Sequence, residues 1–181
     1  MTICNENLLS PTGFKLVIPG FTSIGFQCNS VNIPGISMGG PNQATPYNDF
    51  QLTGDKLNYE DFTATFLIDE DCINYSLIHN WMVGITYPQK STQWRNFVEQ
   101  IKDKDFQNDE YNLDQMDLYL LILNSNFNTA FKIHLTDAFP VALTPMEYAT
   151  DATDIQYLNA QVTFKYTYFK LLNRFDKPLT L

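Results

Sequence analysis

Alternating hydrophobic and polar residues predict that most of this chain is β-strand, with one helix near the middle. From Phe62, four apolar residues alternate with more polar ones, the period-two pattern of a half-buried strand. Apolar residues then recur every four positions at Ile73, Leu77, Trp81 and Ile85, which predicts a helix with one apolar face. A single helix in an otherwise β chain has to pack on a sheet, so Leu77 and Trp81 are predicted core residues.

Three acidic residues, Asp69, Glu70 and Asp71, separate that strand from that helix. A metal or acid/base site is one interpretation, but no histidine is spaced to complete it. Acidic side chains at a helix N-terminus accept hydrogen bonds from free N–H groups and complement the helix dipole. The pattern therefore favours Asp69 and Asp71 as the helix cap.

The remaining pattern predicts strands on both sides of this unit. With the central strand, the predicted strands span residues 14–18, 25–33, 62–68, 117–123, 131–135, 141–148 and 162–168. We expect Phe139-Pro140 to interrupt the chain between two of them, and residues 92–102 to form a short second helix. These elements predict a mainly β fold: two packed antiparallel sheets, as a β-sandwich or barrel, with a flanking α-helix.

The chain reads as a single domain over residues 1–181, with three segments outside the sheets. Residues 1–12 are predicted to form an N-terminal arm, and residues 89–116 an acidic surface insertion. Residues 35–60 are rich in Gly, Pro, Asn and Gln, which is unusual for an inert loop of that length. We interpret them as an extended hairpin that reaches away from the body and is ordered by a neighbour.

Composition and charge narrow the class of protein. At 181 residues and 44% hydrophobic content the chain can bury a core, and no apolar run approaches the ~20 residues of a membrane span. The formal net charge of -9 argues against a basic nucleic-acid-binding face, although not against a surface that repels DNA. The three cysteines, an odd number at wide spacings, indicate neither a disulfide framework nor a zinc site.

Motifs for catalysis are missing from the sequence. There is no GxSxG, HExxH, P-loop or GxGxxG pattern. Cys72 and His79 are seven residues apart, about two helical turns or ~10 Å, which is too far for a hydrogen bond. The aromatic closing strand is better explained as core than as a ligand platform. We therefore expect no enzyme activity and no cofactor.

An ordered set of segments across nearly the whole chain resembles a known family. The segments are Asn7-Leu8-Leu9-Ser10-Pro11 with Gly13-Phe14, FQCNSVNIPGIS at 26–37, Thr45-Pro46, Gly54-Asp55-Lys56-Leu57, FTATFLIDEDCINYSLIHNWMVGITYP at 62–88, LYLLILNSNFN at 118–128, Asp137-Ala138-Phe139-Pro140 and VTFKYTYF at 162–169. This set resembles the tail tube protein family of contractile-tailed bacteriophages, including its tube-initiator and baseplate-junction relatives.

The resemblance implies a subunit of a hexameric ring, in which inner strands of six copies join into a continuous β-barrel. The rings would stack through the hairpin and terminal arms, with an acidic lumen through which viral DNA slides without specific binding. Sheath and baseplate or tube-initiator proteins are the implied partners, in a virion tail assembled in the host cytoplasm. A tube initiator, a baseplate hub subunit and the tube of a phage-like injection system remain alternatives. The residues expected at the interface between rings are Ile36, Met38, Asn42, Gln43, Thr45, Pro46 and Tyr47.

Overall fold

The computed structural model describes residues 9, 13–19, 28–86, 90, 92, 93, 95, 115–148 and 157–179. This part of the chain contains eleven strands and the helix α1. The elements are β1 (Phe14–Val17), β2 (Cys28–Asn32), β3 (Ile36–Met38), β4 (Asn42–Ala44), β5 (Asp49–Gln51), β6 (Leu57–Tyr59), β7 (Phe62–Leu67), α1 (Ile73–Thr86), β8 (Met116–Leu123), β9 (Thr129–Leu143), β10 (Asn159–Lys165) and β11 (Tyr168–Asn173).

Two antiparallel sheets share the long strand β9. The first half of β9 lies between β8 and β11, and β1 extends this first sheet beyond β8. The second half of β9 pairs with β10, which is followed by β7 and then β2 in the second sheet. The predicted fold class, mainly β with antiparallel sheets and a flanking helix, is confirmed. The strands that the structure describes do not close into a barrel within one subunit.

The bend in β9 corrects the prediction that Phe139-Pro140 interrupts the chain. Asp137 has a φ of 56°, and this left-handed residue turns the strand from the first sheet into the second. Pro140 then pairs opposite Phe164, next to a register shift in the β9–β10 ladder. Proline is tolerated at such an irregularity on a strand with one open side, so β9 continues through it to Leu143.

The predicted closing strand at 162–168 is instead two strands. β10 ends at Lys165 in the second sheet, and β11 begins at Tyr168 in the first. Between them the Thr167 N–H donates to the Thr136 carbonyl, at 3.0 Å. The aromatic alternation therefore continues across a change of sheet, which a period-two pattern does not reveal.

The core lies between the two sheets and is closed on one side by α1. Alternate residues of β8 are buried, from Met116 to Ile122, and Phe62, Phe66 and Phe164 are the largest buried side chains of the second sheet. The opposite face of β8 is half-buried.

The buried face of α1 is centred one residue later than the sequence pattern indicates. Ile73 is 47% exposed, whereas Asn74, Ile78 and Trp81 are buried. Trp81 is fully buried and its ring lies 6.0 Å from that of Phe164. Leu77 is half-buried against the same core. Among the described residues, no helix combines the length and apolarity needed to cross a membrane.

Several predictions fall largely outside the described residues. The arm at 1–12 is described only at Leu9, and the insertion at 89–116 at six positions. Thr92, Gln93 and Arg95 are helical, and Met116, the last residue of the predicted insertion, is buried at the start of β8. Residues 144–148, predicted to continue a strand, are not in one.

Candidate assembly surfaces

Residues 36–59 form a long hairpin that is separate from both sheets. β3 pairs with β6 near its base, and β4 pairs with β5 near its tip. At the tip, Thr45 and Asn48 are joined by two hydrogen bonds: the Thr45 hydroxyl donates to the Asn48 carbonyl and accepts from the Asn48 N–H. Tyr47, between them, is 99% exposed.

One face of the hairpin base is apolar and exposed. Met38 lies opposite Leu57 and Ile36 opposite Tyr59, so these two pairs share a face. Ile36, Met38 and Leu57 are each more than half exposed. The other face carries the pair Ser37 and Asn58. Within the described part of one subunit, Tyr59 is partly covered by Tyr166 and Phe169, whereas Ile36, Met38 and Leu57 stay exposed.

The seven predicted interface residues all lie on this hairpin, but they do not form one face. Ile36 and Met38 lie on the apolar face, whereas Asn42 and Gln43 point to opposite sides of β4. Thr45, Pro46 and Tyr47 lie at the tip. An inter-ring role for these residues stays a prediction.

The prediction missed the apolar residues of the returning strands. Phe50, Leu52 and Leu57 are about as exposed as Met38. Their alternation with polar neighbours was visible in the sequence, but only the cross-strand register shows which residues face the same way.

An aromatic cluster anchors the base of the hairpin to the body. The Tyr59 ring lies 6.0 Å from that of Tyr166 and 5.7 Å from that of Phe169, both edge-to-face. The Tyr166 hydroxyl donates to the Glu60 carbonyl at 2.8 Å. Burial, with Tyr59 and the charges of Asp61 and Glu60, raises the pKa of Tyr166 to about 12, so this phenol remains a neutral donor. The cluster fixes the direction in which the hairpin leaves the body.

Two glycines cross where the base ladder meets the tip ladder. A Cβ atom at Gly54 would overlap the carbonyl oxygen of Gly39, whereas a Cβ at Gly39 would meet nothing within 4 Å. Close backbone approach therefore requires glycine at position 54 specifically.

The second sheet has an unpaired strand at each edge. Among the residues that the structure describes, β2 pairs only with β7, and residues 139–143 of β9 pair only with β10. Each edge carries an exposed apolar side chain, Ile33 beside β2 and Val141 in β9. Unpaired edges present N–H and C=O groups to any strand that approaches.

The β11 edge of the first sheet is different, because the chain folds back over it. Pro178 forms a bridge with Leu172, and the Leu179 N–H donates to the Leu171 carbonyl at 3.0 Å. Within the described residues, the second sheet is therefore the one of the two sheets with an unpaired strand at both edges.

Asn74, not the acidic cluster, makes the hydrogen bonds at the start of α1. Its fully buried side chain donates to the Leu67 carbonyl at 2.6 Å and accepts from the Tyr75 N–H at 2.8 Å. Asp69 and Asp71 lie in the turn before the helix, and the first helical turn contains no acidic residue. The cap predicted from Asp69 and Asp71 is therefore replaced by an amide that the sequence pattern did not single out.

The two histidines lie on different elements, His79 on α1 and His134 on β9. His134 Nε2 is 2.8 Å from the Asp117 carboxylate, and its ring stacks on Tyr119 at 4.6 Å. His79 is exposed on α1. Burial raises the pKa of the Cys28 thiol to about 11, which keeps it protonated and weakly nucleophilic. No group of three metal-ligating side chains occurs among the described residues.

Comparison with known proteins identifies the family. A family profile described as phage tail tube protein matches residues 13–172. A comparison with curated protein sequences finds no match.

Solved structures of contractile injection systems share the fold. A chain of the PVC sheath/tube terminator in the extended state superposes with a TM-score of 0.58 at 14% identity, covering 93% of this chain and 99% of that one. A chain of the PVC sheath–tube complex gives 0.55 at 17%, covering 93% of each. A chain of the anti-feeding prophage baseplate gives 0.53 at 12%, covering 94% and 98%.

The antiparallel fold and the family match together define a structural protein of a phage tail. The chain belongs to the phage tail tube protein family. The predicted resemblance is confirmed, and with it a structural role in the tail tube of a virion.

Proposed function

We propose that this chain forms homohexameric rings that stack into the DNA-conducting tube of a contractile phage tail. The observation that carries the proposal is the second sheet, which is open at both edges, beside a hairpin with an uncovered apolar face. The first feature supports contacts within a ring, and the second supports contacts between rings.

Strand direction supports closure of a ring through the second sheet. Its four strands, β2, β7, β10 and the end of β9, alternate in direction. Copies related by rotation about the tube axis keep the same orientation. An even number of alternating strands therefore places residues 139–143 of one copy antiparallel to β2 of the next, which is the pairing that an antiparallel sheet needs to continue.

The hairpin supplies the contact between rings in this proposal. Its exposed apolar residues Ile36, Met38 and Leu57 would be buried against a second copy, because exposed apolar surface of this kind marks protein interfaces. The aromatic cluster at Tyr59, Tyr166 and Phe169 holds the hairpin in a fixed direction, which reduces the entropy lost on assembly.

The proposed role is structural and not catalytic. The protonated Cys28 thiol supports this view, as does the position of His79 and His134 on different elements, α1 and β9. Sheath and baseplate or tube-initiator proteins are the proposed partners, as in the complexes whose chains share this fold. We place assembly in the host cytoplasm, with viral DNA as the passing cargo.

A tube-terminating or baseplate subunit is the second candidate. The fold recurs in a sheath/tube terminator and in a baseplate with similar coverage. Copies per particle separate the candidates: a tube subunit occurs in many rings, and a terminator, initiator or hub subunit in one.

Electron microscopy of the purified protein tests the proposal. We expect rings, and stacked tubes at higher concentration. The double variant Met38→Ser with Leu57→Ser should form rings that do not stack, because the apolar face is removed. The matched control, Ser37→Ala with Asn58→Ala, changes the opposite face of the same ladder and should stack normally. A protein that stays monomeric at every concentration would refute the ring.

A further inference from the structure

The strands of the second sheet contain no acidic residue. The chain has 20 Asp and Glu residues in 181, yet β2, β7, β10 and residues 139–143 contain none. Their burial alternates, so one face packs on the core and the other is open. The open face consists mainly of hydroxyl and amide side chains, with apolar contributions from Leu67, Ala142 and, at the corner end, Phe139. Its uncharged polar members are Ser30, Asn32, Thr63, Thr65, Asn159, Gln161 and Thr163.

The acidic residues that the structure describes lie outside these strands: Glu60 and Asp61 precede β7, Glu147 follows β9 and Asp176 follows β11. Asp49 and Asp55 are on the hairpin, and Asp117 and Asp137 belong to the first sheet and its corner. The turn before α1, at 69–71, lies beyond one end of β7.

Charged side chains occur only at the ends of this open face. Lys165, the last residue of β10, is exposed. The residue before it, Phe164, pairs with Phe62 of β7. That register places Lys165 across from Asp61, just before β7, and the two charges are opposite in sign. Between the ends of β7, the face is uncharged over about 20 Å, the length of six extended residues.

We infer that the wall of the channel is an uncharged hydroxyl and amide surface, not an acidic one. The inference rests on the proposed ring, because joining the second sheet edge to edge turns its open face toward a common axis. Hydroxyl and amide groups hold water without a fixed charge, so passing double-stranded DNA keeps its counterions and is neither repelled nor bound. The chain carries a net charge of -9, but that charge lies outside this wall. The wall therefore differs from the acidic lumen that the resemblance implies.

Thiol labelling in assembled rings tests both the position and the charge of the wall. Thr163→Cys places a thiol at the middle of the open face, and Lys170→Cys places one on the exposed face of β11 in the first sheet. Each is treated with a small maleimide and with a maleimide on a long polyethylene glycol chain, and the modified residue is mapped by mass spectrometry. We expect the small reagent to label both sites and the large reagent to label only position 170.

Charged reagents then measure the potential at the wall. The ratio of modification rates with a cationic and an anionic methanethiosulfonate at Thr163→Cys should change by less than about threefold between dissociated subunits and rings. In the Thr63→Glu background, which puts a carboxylate directly across the ladder, assembly should raise that ratio by about tenfold or more.

The failures are distinguishable. A cation preference of about tenfold without Thr63→Glu would overturn the uncharged wall while leaving the ring intact. Labelling of position 163 by the large reagent in rings would show that another face lines the channel. The absence of rings in the micrographs would instead refute the proposed function, and the inference with it.

Discussion

Asn74 shows how a single buried amide defines the boundary between β7 and α1. Its side chain contacts the Leu67 carbonyl before the turn and the Asp69 and Tyr75 N–H groups on either side of it. Cys72, with a φ of 54°, then directs the chain into the helix. A buried polar side chain that satisfies several backbone groups costs more to remove than an exposed charge does.

We therefore predict that Asn74→Ala lowers the free energy of unfolding by about 2–4 kcal/mol, because buried backbone groups lose their partners. Asp71→Asn, an exposed neighbour in the same turn, should change it by less than about 0.5 kcal/mol. Urea denaturation at one protein concentration measures both. Similar losses for the two variants would restore the acidic cap and count against Asn74.

The sequence pattern located the strand, the turn and the helix, but it did not show which side chain makes the hydrogen bonds at the start of the helix. The four-residue spacing identified the helix and the buried Trp81, yet it put Ile73 on the core face and overlooked Asn74. An asparagine at that position looks like a solvent-exposed residue in any hydrophobicity pattern. The amide has three hydrogen-bond partners only because the end of β7 lies next to it in the fold.

At the scale of elements, the hairpin depends on one close approach between its two strands. The base and tip ladders meet where Gly54 passes the backbone of Gly39. This contact determines how the tip is oriented relative to the base, and so where the tip residues, Tyr47 among them, are presented.

We predict that Gly54→Ala disrupts the hairpin and prevents tube formation, since its Cβ would overlap the Gly39 carbonyl. The melting temperature of the subunit should fall by less than about 4 °C, because the cores of both sheets are untouched. Gly39→Ala is the matched control, because its Cβ would meet open space. Tube counts in electron micrographs, with thermal melts of the same samples, give the result. Normal tubes from Gly54→Ala would show that the crossing is dispensable.

Strand β9 shows which features of an element the sequence pattern does not predict. Its alternation predicted strands on both sides of Phe139-Pro140, and both segments are β in the structure as far as Leu143. The left-handed Asp137 and the open side at Pro140 let one strand serve two sheets. Neither feature is visible in a hydrophobic pattern, because each depends on which neighbour the strand has on each side.

At the scale of the whole molecule, the proposed assembly uses the surfaces that one subunit leaves uncovered: the two edges of the second sheet and the apolar face of the hairpin. The hairpin was recognisable from its composition, because Gly, Pro, Asn and Gln over that length cannot form an independent core. The open edges were not recognisable, because β2 and the end of β9 look like ordinary strands. Their status depends on long-range pairing, which leaves β7 and β10 in the middle of the sheet and these two outside.

The edge of β9 provides the last prediction. Val141 is 43% exposed on the strand whose far side is unpaired, and a lysine there is the kind of residue that prevents edge pairing in natural sheets. Val141→Lys should weaken ring formation at least about tenfold, equivalent to about 1.4 kcal/mol per contact. Ala130→Lys adds the same charge to an exposed position of the same strand, between Thr129 and Phe131, which both pair with β8, and it should assemble normally. Sedimentation velocity across a concentration series measures the ring fraction. Equal assembly of the two variants would mean that the ring closes through a surface other than this edge.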